Sequence, residues 1–374
     1  MKMRAAVLRE SGLPRPYASS RPLNIEEIDL EAPREGEVLI QIKAVGLCHS
    51  DLVAISGERG KPMPIVIGHE AAGVIVELGK SVDQFQIGDH VVPSYVASCG
   101  QCEMCENGRP ALCEPATLTN AKAVLRDGTT RLKKDGEIIH HHSGVAGFAE
   151  YAVLPKEALV RIDKHIPFEH AALFGCGVVT GVGAVINTAN AREEDSIAVV
   201  GLGGVGLSAL LASMAIGSKK TIAIDLSNEK LKLAHELGAD HVLNPNDANF
   251  LERIRDLTSG GANIAIETAG SGRALKTAYD ITRRGGTTVA AGMPGPKVDI
   301  TLSHLSIAAE ERIIKGSYMG SCIAHRDIPK YLDMFQTGKL PVDRLLSRKI
   351  TFEQLNEAMD RLDDAKTVRE VLIP

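Results

Sequence analysis

The run Ser196-Ile-Ala-Val-Val-Gly201-Leu-Gly203-Gly204-Val-Gly206 constrains this chain more than any other part of it. An apolar strand enters a glycine turn and leaves it straight into a helix that begins near Leu207. Gly201 permits the tight turn, Gly203 lets the backbone approach an anion, and Gly206 lets helix and strand pack closely. Free N–H groups and the dipole at the helix start then favour a pyrophosphate. Such a run alone is a weak signal, because glycines also serve plain turns. Its weight comes from Asp225, nineteen residues beyond Gly206 at the end of the strand Thr221-Ile-Ala-Ile-Asp225. A carboxylate there accepts both ribose hydroxyls of NAD and repels a 2′-phosphate. Leu226, Ser227 and Asn228 follow, with no arginine for that phosphate. A methyl-donor or flavin site is the rival reading of the run.

The surroundings of this turn set the fold class. From about residue 178, strand-like and helical stretches alternate: Ile197–Val200, Leu207–Ile216, Thr221–Asp225, Asn228–Leu237, Ile264–Glu267, Gly272–Ile281 and Thr287–Ala291. That alternation predicts a doubly wound parallel sheet flanked by helices, the Rossmann arrangement. The first third reads differently. Short apolar runs such as Val38–Val45, Ala72–Leu78 and Asp89–Pro93 predict a β-rich region with long loops. After about Ser321 come helical pieces around Ile328–Gln336 and Phe352–Leu362, then strand-like Val368–Ile373. At 374 residues the chain exceeds one ordinary compact core, so two domains are expected.

Charge and composition exclude several classes. A net charge of −5 gives no electrostatic footprint for nucleic acid. The basic residues between Thr117 and Gly144 interleave with Asp127, Asp135 and Glu137, and no aromatic side chain is present for stacking, so a solvated loop is expected there. The uncharged stretches Ala171–Ala191 and Ser196–Ser218 carry Thr, Asn, Ser and Gly, and read as buried core rather than membrane spans. The seven cysteines are an odd number and no export signal is evident, so reduced thiols or metal ligands in a cytoplasmic protein are expected.

Four of those cysteines are clustered. Cys99, Cys102, Cys105 and Cys113 are separated by two, two and seven residues. Four thiolates this close satisfy a closed tetrahedral zinc site with a structural role. An iron–sulfur cluster and unliganded thiols are the alternatives, although the bacterial cluster motif needs three residues and a proline at the last spacing. Of the other three, Cys48 lies in Gly46-Leu-Cys48-His49-Ser50-Asp51, with Gly68-His69-Glu70 about twenty residues on, and Cys176 lies in Gly175-Cys176-Gly177. Spacing cannot join residues 48, 69 and 176, and a second metal stays open on the residues alone. Cys322 reads as a plain thiol.

Taken together, these motifs resemble the zinc-dependent alcohol dehydrogenases of the medium-chain dehydrogenase/reductase family. The resemblance covers nearly the whole chain and rests on Cys48–Asp51, Gly68–Glu70, the four clustered cysteines, Gly175–Gly177 with Thr180-Gly181, Gly201–Gly206, and Asp225 with Lys230. It implies a β-rich GroES-like catalytic domain over residues 1–177 and 322–374, and a six-stranded Rossmann domain over residues 178–321. The active site would lie in a cleft that closes on NAD. It implies two zinc ions per chain, one held by the four clustered cysteines. The second, catalytic zinc would sit on Cys48, His69 and Cys176, with Glu70 behind it as a transient ligand and Asp51 accepting the other ring N–H of His69. Zinc would act as a Lewis acid that lowers the pKa of the alcohol, and hydride would pass to C4 of the nicotinamide. Ser50 would relay the alcohol proton. His49, Lys230 and Arg369 resemble the family's pyrophosphate and ribose contacts. Thr180, Gly201, Gly203, Gly204, Val205, Gly206, Asp225, Gly292 and Met293 complete the implied cofactor set. Ser50, Tyr95, Leu118 and His142 fall where the family lines its substrate channel.

Two departures stand out. Val53 occupies the position where the family's proton relay often ends in histidine, leaving His49 or water to substitute. Tyr95, His142 and Ser143 make the channel more polar than in relatives specialised for fatty or aromatic alcohols. The run His140–His142 is expected to be loop surface and channel wall. The long loop through residues 117–144 resembles the dimeric branch of the family, so a homodimer is expected, with a tetramer as the alternative. Val298–Met319 is where relatives pair their sheets across a dimer. The leading expectation is an NAD-dependent alcohol dehydrogenase giving an aldehyde or ketone from a small alcohol, with no nucleic-acid or membrane partner. The competing expectations are a glutathione-dependent formaldehyde (S-hydroxymethylglutathione) dehydrogenase, a polyol dehydrogenase, and a non-catalytic nucleotide-binding protein with structural zinc only.

Overall fold

The computed structural model describes the whole chain, Met1–Pro374. It divides into two compact units, one of Met1–Cys176, Ile323–Gln336 and Asp343–Pro374, the other of Gly177–Cys322 and Thr337–Val342. The short return of Thr337–Val342 to the second unit is not anticipated by the sequence.

The second unit is built on a six-stranded, wholly parallel sheet in the spatial order His241–Leu243, Lys220–Ile224, Ser196–Val200, Ala262–Glu267, Thr282–Ala290, Ile313–Gly316. Helices cover both faces of such a sheet, which is why the central strand Ser196–Val200 is buried at every position. The helix Gly204–Ala215 follows directly. Gly201 sits at φ +93°, and a Cβ on Gly206 would meet the Gly201 carbonyl oxygen at 1.8 Å, so neither position accepts a side chain. The helix Asn228–Leu237 is capped at its start by Ser227, whose Oγ accepts the Lys230 N–H, and stopped by Gly238 at φ +113°. The doubly wound parallel sheet read from the sequence is therefore the observed one.

The first unit holds two sheets. A closed barrel joins Lys2–Leu8, Leu23–Leu30, Leu132–Lys134, Glu137–His141 and Ile65–Val66. A seven-stranded sheet has Glu37–Gly46 at its centre, paired with Glu70–Leu78, Tyr151–Pro155 and Arg369–Leu372. Its apolar residues and those of the helix Leu355–Asp363, among them Ile40, Ile42, Ile75, Leu355 and Met359, fill one core. The β-rich GroES-like character expected of this region is present.

Residues 117–144 correct the sequence reading. They are not a solvated loop: the helix Glu114–Lys122 occupies the start, and the hairpin Leu132–Lys134/Glu137–His141 belongs to the barrel. Arg131 is fully buried and ion-paired with Glu37 and Asp127. His141 is buried as well, its Nε2 accepting the Arg131 backbone N–H at 3.1 Å. The barrel strands that this hairpin pairs with, through Lys133↔Asp29 and His140↔Ile65, lie far away in sequence, beyond the reach of a local pattern. Likewise the uncharged stretch Ala171–Ala191 is broken at Cys176, and Ser196–Ser218 is a strand and a helix. No single helix is long and apolar enough to cross a membrane.

Candidate active site

The reactive constellation of the first unit grows from a helix start. Cys48 is the N-cap of the helix His49–Ser56, and Asp51, three residues on, returns its Oδ2 to accept the Cys48 N–H at 3.0 Å. The second oxygen of Asp51 reaches a different strand region: Oδ1 accepts the Gly68 N–H at 3.2 Å and stands 3.2 Å from His69 Nδ1. One fully buried carboxylate therefore fixes the loops of both Cys48 and His69. With Nδ1 turned to Asp51, the Nε2 lone pair of His69 is left for a metal.

Cys48, His69, Glu70 and Cys176 present ligand atoms that all lie within 4.8 Å of one another. Two thiols, one imidazole and a reserve carboxylate match the donor set of a catalytic zinc with an open position. The electrostatics agree with a site built for a cation. A hydrogen bond with Cys176 holds the Cys48 thiol well below its usual range, while Cys176 is pushed up by Cys48 and by burial. Burial works against a charged His69, but Asp51 and Cys48 outweigh it and raise its pKa. Burial pushes the Glu70 carboxyl up to about 7, against the pull of the Arg369 guanidinium.

Arg369, the first residue of the strand Arg369–Leu372, is itself buried; its Nη1 donates to Glu70 Oε1 at 3.1 Å and to the Leu47 carbonyl at 3.2 Å. Two rings flank His69 edge-on, Tyr95 at 5.7 Å and His142 at 5.3 Å between centroids. His142 Nδ1 is 3.5 Å from Asp51 Oδ1, and burial lowers its pKa. His49 is exposed, Ser50 half-buried, and Leu118 lies on the solvent face of its helix, 63% exposed. Val53 is half-buried on the same helix as Ser50.

The four clustered cysteines also converge. Their sulfurs lie within 4.8 Å of one another, with Cys102–Cys105 at 3.5 Å, Cys102–Cys113 at 3.9 Å and Cys99–Cys105 at 4.0 Å. Ligands about 2.3 Å from a tetrahedral zinc stand ~3.8 Å apart, so the spread fits. The Cys99 N–H donates to Cys113 Sγ at 3.2 Å, and backbone hydrogen bonding at Cys102 brings that thiol down to about 6.

The second unit carries the nucleotide-site candidates. Asp225 aims its carboxylate at the glycine turn, Oδ2 accepting the Leu202 N–H at 2.6 Å and Oδ1 the Ser227 N–H at 2.8 Å. Beside Gly203 there is open space where a Cβ would project. Thr180 is buried, Gly204, Val205, Lys230 and Gly292 are half-buried, and Met293 is 56% exposed. Sequence reasoning missed Glu267. This buried carboxylate accepts the Gly270 N–H at 2.6 Å, while its backbone carbonyl accepts the N–H groups of Ala291 and Gly292. It braces the loop of Gly292 and Met293, and its position at the end of a parallel strand was the available signal.

Comparison with known proteins follows the same division. The alcohol dehydrogenase GroES-like domain matches residues 34–164 and the zinc-binding dehydrogenase domain matches residues 204–337. S-(hydroxymethyl)glutathione dehydrogenase of Escherichia coli (strain SMS-3-5 / SECEC) is 35% identical over 376 residues, covering all of both chains. The chain belongs to the zinc-dependent alcohol dehydrogenases of the medium-chain dehydrogenase/reductase family. Among solved structures of such enzymes, the alcohol dehydrogenase zinc-binding domain protein from Burkholderia ambifaria superposes with a TM-score of 0.94 at 33% identity, covering 100% of this chain and 99% of that one. Benzyl alcohol dehydrogenase from Acinetobacter calcoaceticus does so with a TM-score of 0.93 at 31% identity and the same coverage. This alcohol dehydrogenase is accordingly an oxidoreductase, and the motif resemblance seen in its sequence is the correct one.

Proposed function

We propose that the enzyme oxidises an alcohol to its aldehyde or ketone with NAD, using a catalytic zinc on Cys48, His69 and Cys176 and a structural zinc on Cys99, Cys102, Cys105 and Cys113. The observation that carries this reading is the convergence of three zinc-type ligands, with His69 oriented by Asp51 and Glu70 held behind them. Zinc supplies Lewis acidity that favours loss of the alcohol proton. The chain's own residues do the rest. Asp51 fixes the tautomer of His69 and ties its loop to Cys48. Tyr95 and His142 wall the ligand set on the His69 side. Ser50 takes the hydroxyl proton and passes it towards His49 or solvent, Val53 offering no relay. NAD, held at the turn Gly201–Gly206 and by Asp225, would supply the acceptor for the hydride lost from the carbinol carbon, so that alcohol and NAD+ would give the carbonyl product, NADH and one proton.

Selectivity for NAD is read from Asp225, whose carboxylate lies beside the glycine turn with no arginine following it. The exposed edge strand Ile313–Gly316, with Leu305, Val298 and Ile300 nearby in sequence and also exposed, supports a homodimer joined along that edge. None of the seven cysteines forms a disulfide, which suits a cytoplasmic enzyme. A second reading, oxidation of S-hydroxymethylglutathione, draws on the printed name of the 35%-identical relative. The test is NADH formation on a panel of primary, secondary and aromatic alcohols, and on formaldehyde with and without glutathione, each with and without a zinc chelator. Chelator-sensitive turnover of simple alcohols supports the first reading. Turnover of formaldehyde only with glutathione supports the second.

A further inference from the structure

Three chain segments that surround the ligand set converge on one residue outside it. Asn120 lies in the helix Glu114–Lys122, which begins immediately after Cys113. Its side-chain amide Nδ2 donates to the Tyr95 carbonyl at 2.8 Å. Its own backbone carbonyl accepts the Lys61 ammonium at 2.8 Å. Its Oδ1 faces the turn His142–Gly144, where a Cβ built on Gly144 would stand 3.7 Å away. That turn is conformationally demanding, with Ser143 at φ 52° and Gly144 at φ 67°. Tyr95 and His142 are the two rings that pack edge-on against His69.

The helix that presents Asn120 is anchored at the four-cysteine cluster. Cys113 contributes its sulfur to that cluster and its carbonyl to the first turn of the helix, where the Thr117 N–H and hydroxyl both reach it at 3.0 Å. A closed metal site is rigid, and one short helix carries that rigidity to the loop of Tyr95 and the turn of His142. We propose that Asn120 is a positioning residue, through which the four-cysteine lobe fixes the substrate wall made by Tyr95 and His142. Asn120 does not touch the reacting atoms; it acts by holding the backbone of one wall residue and bordering the turn of the other. The proposal rests on the reading of Cys48, His69 and Cys176 as the catalytic centre.

The test uses the purified zinc-loaded enzyme and two substitutions. Asn120→Ala removes the amide, and Asn120→Asp keeps its shape while replacing the N–H donor by an acceptor against the Tyr95 carbonyl. A neutral hydrogen bond is worth about 1 kcal/mol, roughly a fivefold change in an equilibrium constant. Both variants should raise KM for the alcohol that the parent turns over fastest about fivefold or more, and raise the Kd of the same alcohol, measured by calorimetry with NADH present so that it cannot react, by a similar factor. The kcat, the KM for NAD and a content of two zincs per chain should stay within about twofold of the parent, and Thr119→Ala on the same helix should behave as the parent. Unchanged KM and Kd in both variants would overturn the proposal. So would a parallel fall in kcat, cofactor affinity, zinc content and melting temperature, which marks a general loss of fold. Failure of the parent enzyme to oxidise any alcohol would instead defeat the catalytic reading.

Discussion

Arg369 and Glu70 form an ion pair buried on both sides, Nη1 to Oε1 at 3.1 Å, directly behind the ligand set of Cys48, His69 and Cys176. Removing one partner of such a pair leaves an uncompensated charge in the interior, at a cost of about 3–5 kcal/mol. Glu70→Gln should therefore lower the urea midpoint strongly, because the buried Arg369 guanidinium cannot lose its charge. Arg369→Leu added to it should restore most of the loss, because no charge is then left alone. Additive losses in the double variant would show that the two residues are not coupled.

Asp51 holds His69 from the side opposite the proposed metal. Loss of a carboxylate that orients a ligating histidine commonly weakens metal binding ~10–100-fold. Asp51→Asn should show that weakening for one of two zincs in a chelator titration, leaving the other unaffected. Equal weakening of both would mean that Asp51 serves the fold at large.

At the nucleotide site, Asp225→Ala should raise KM for NAD about 10–100-fold, the equivalent of losing charged hydrogen bonds worth ~1.5–3 kcal/mol. KM for NADP should change far less, since that carboxylate repels a 2′-phosphate. Equal effects on the two cofactors would remove Asp225 from the ribose site.

His141 makes stability depend on pH. Burial, helped by the nearby Arg131 guanidinium, lowers its pKa to about 3 in the folded chain, against about 6.5 when unfolded. Between those values the unfolded chain binds the proton and the folded chain does not. Stability from this residue is whole above about pH 6.5 and falls steadily as pH drops towards 3. His141→Gln should flatten the pH dependence of the urea midpoint across that window; an unchanged slope would assign the acid sensitivity to other groups.

The alternating half of the chain was legible because its signals are local. Ser196–Val200, Lys220–Ile224 and Ala262–Glu267 are short apolar runs that stand out from the helices between them. The strand Thr282–Ala290 starts five residues before the run Thr287–Ala291 that marks it in the sequence, because Arg283, Arg284, Gly285 and Gly286 carry no apolar side chain. The helix Glu114–Lys122 has no amphipathic stripe to betray it, only a proline near its start. In the candidate site, the glycine turn, Asp225 and the four clustered cysteines are sequence neighbours or regularly spaced. Cys48, His69 and Cys176 are not, and only their motif resemblance to known enzymes joined them before the fold did. The Asn120 contacts to Tyr95 and Lys61 could not be read at all, since they depend on where one helix and two separate loops meet.

The central claim is that Cys176 completes a catalytic zinc site distinct from the four-cysteine one. Zinc content and alcohol turnover of the parent and of Cys176→Ala, measured on the same preparations, test it most directly. The parent should hold two zincs per chain and turn over; the variant should keep one zinc, the same fold and no detectable turnover. A Cys176→Ala enzyme that retains both zincs and its activity would contradict the assignment.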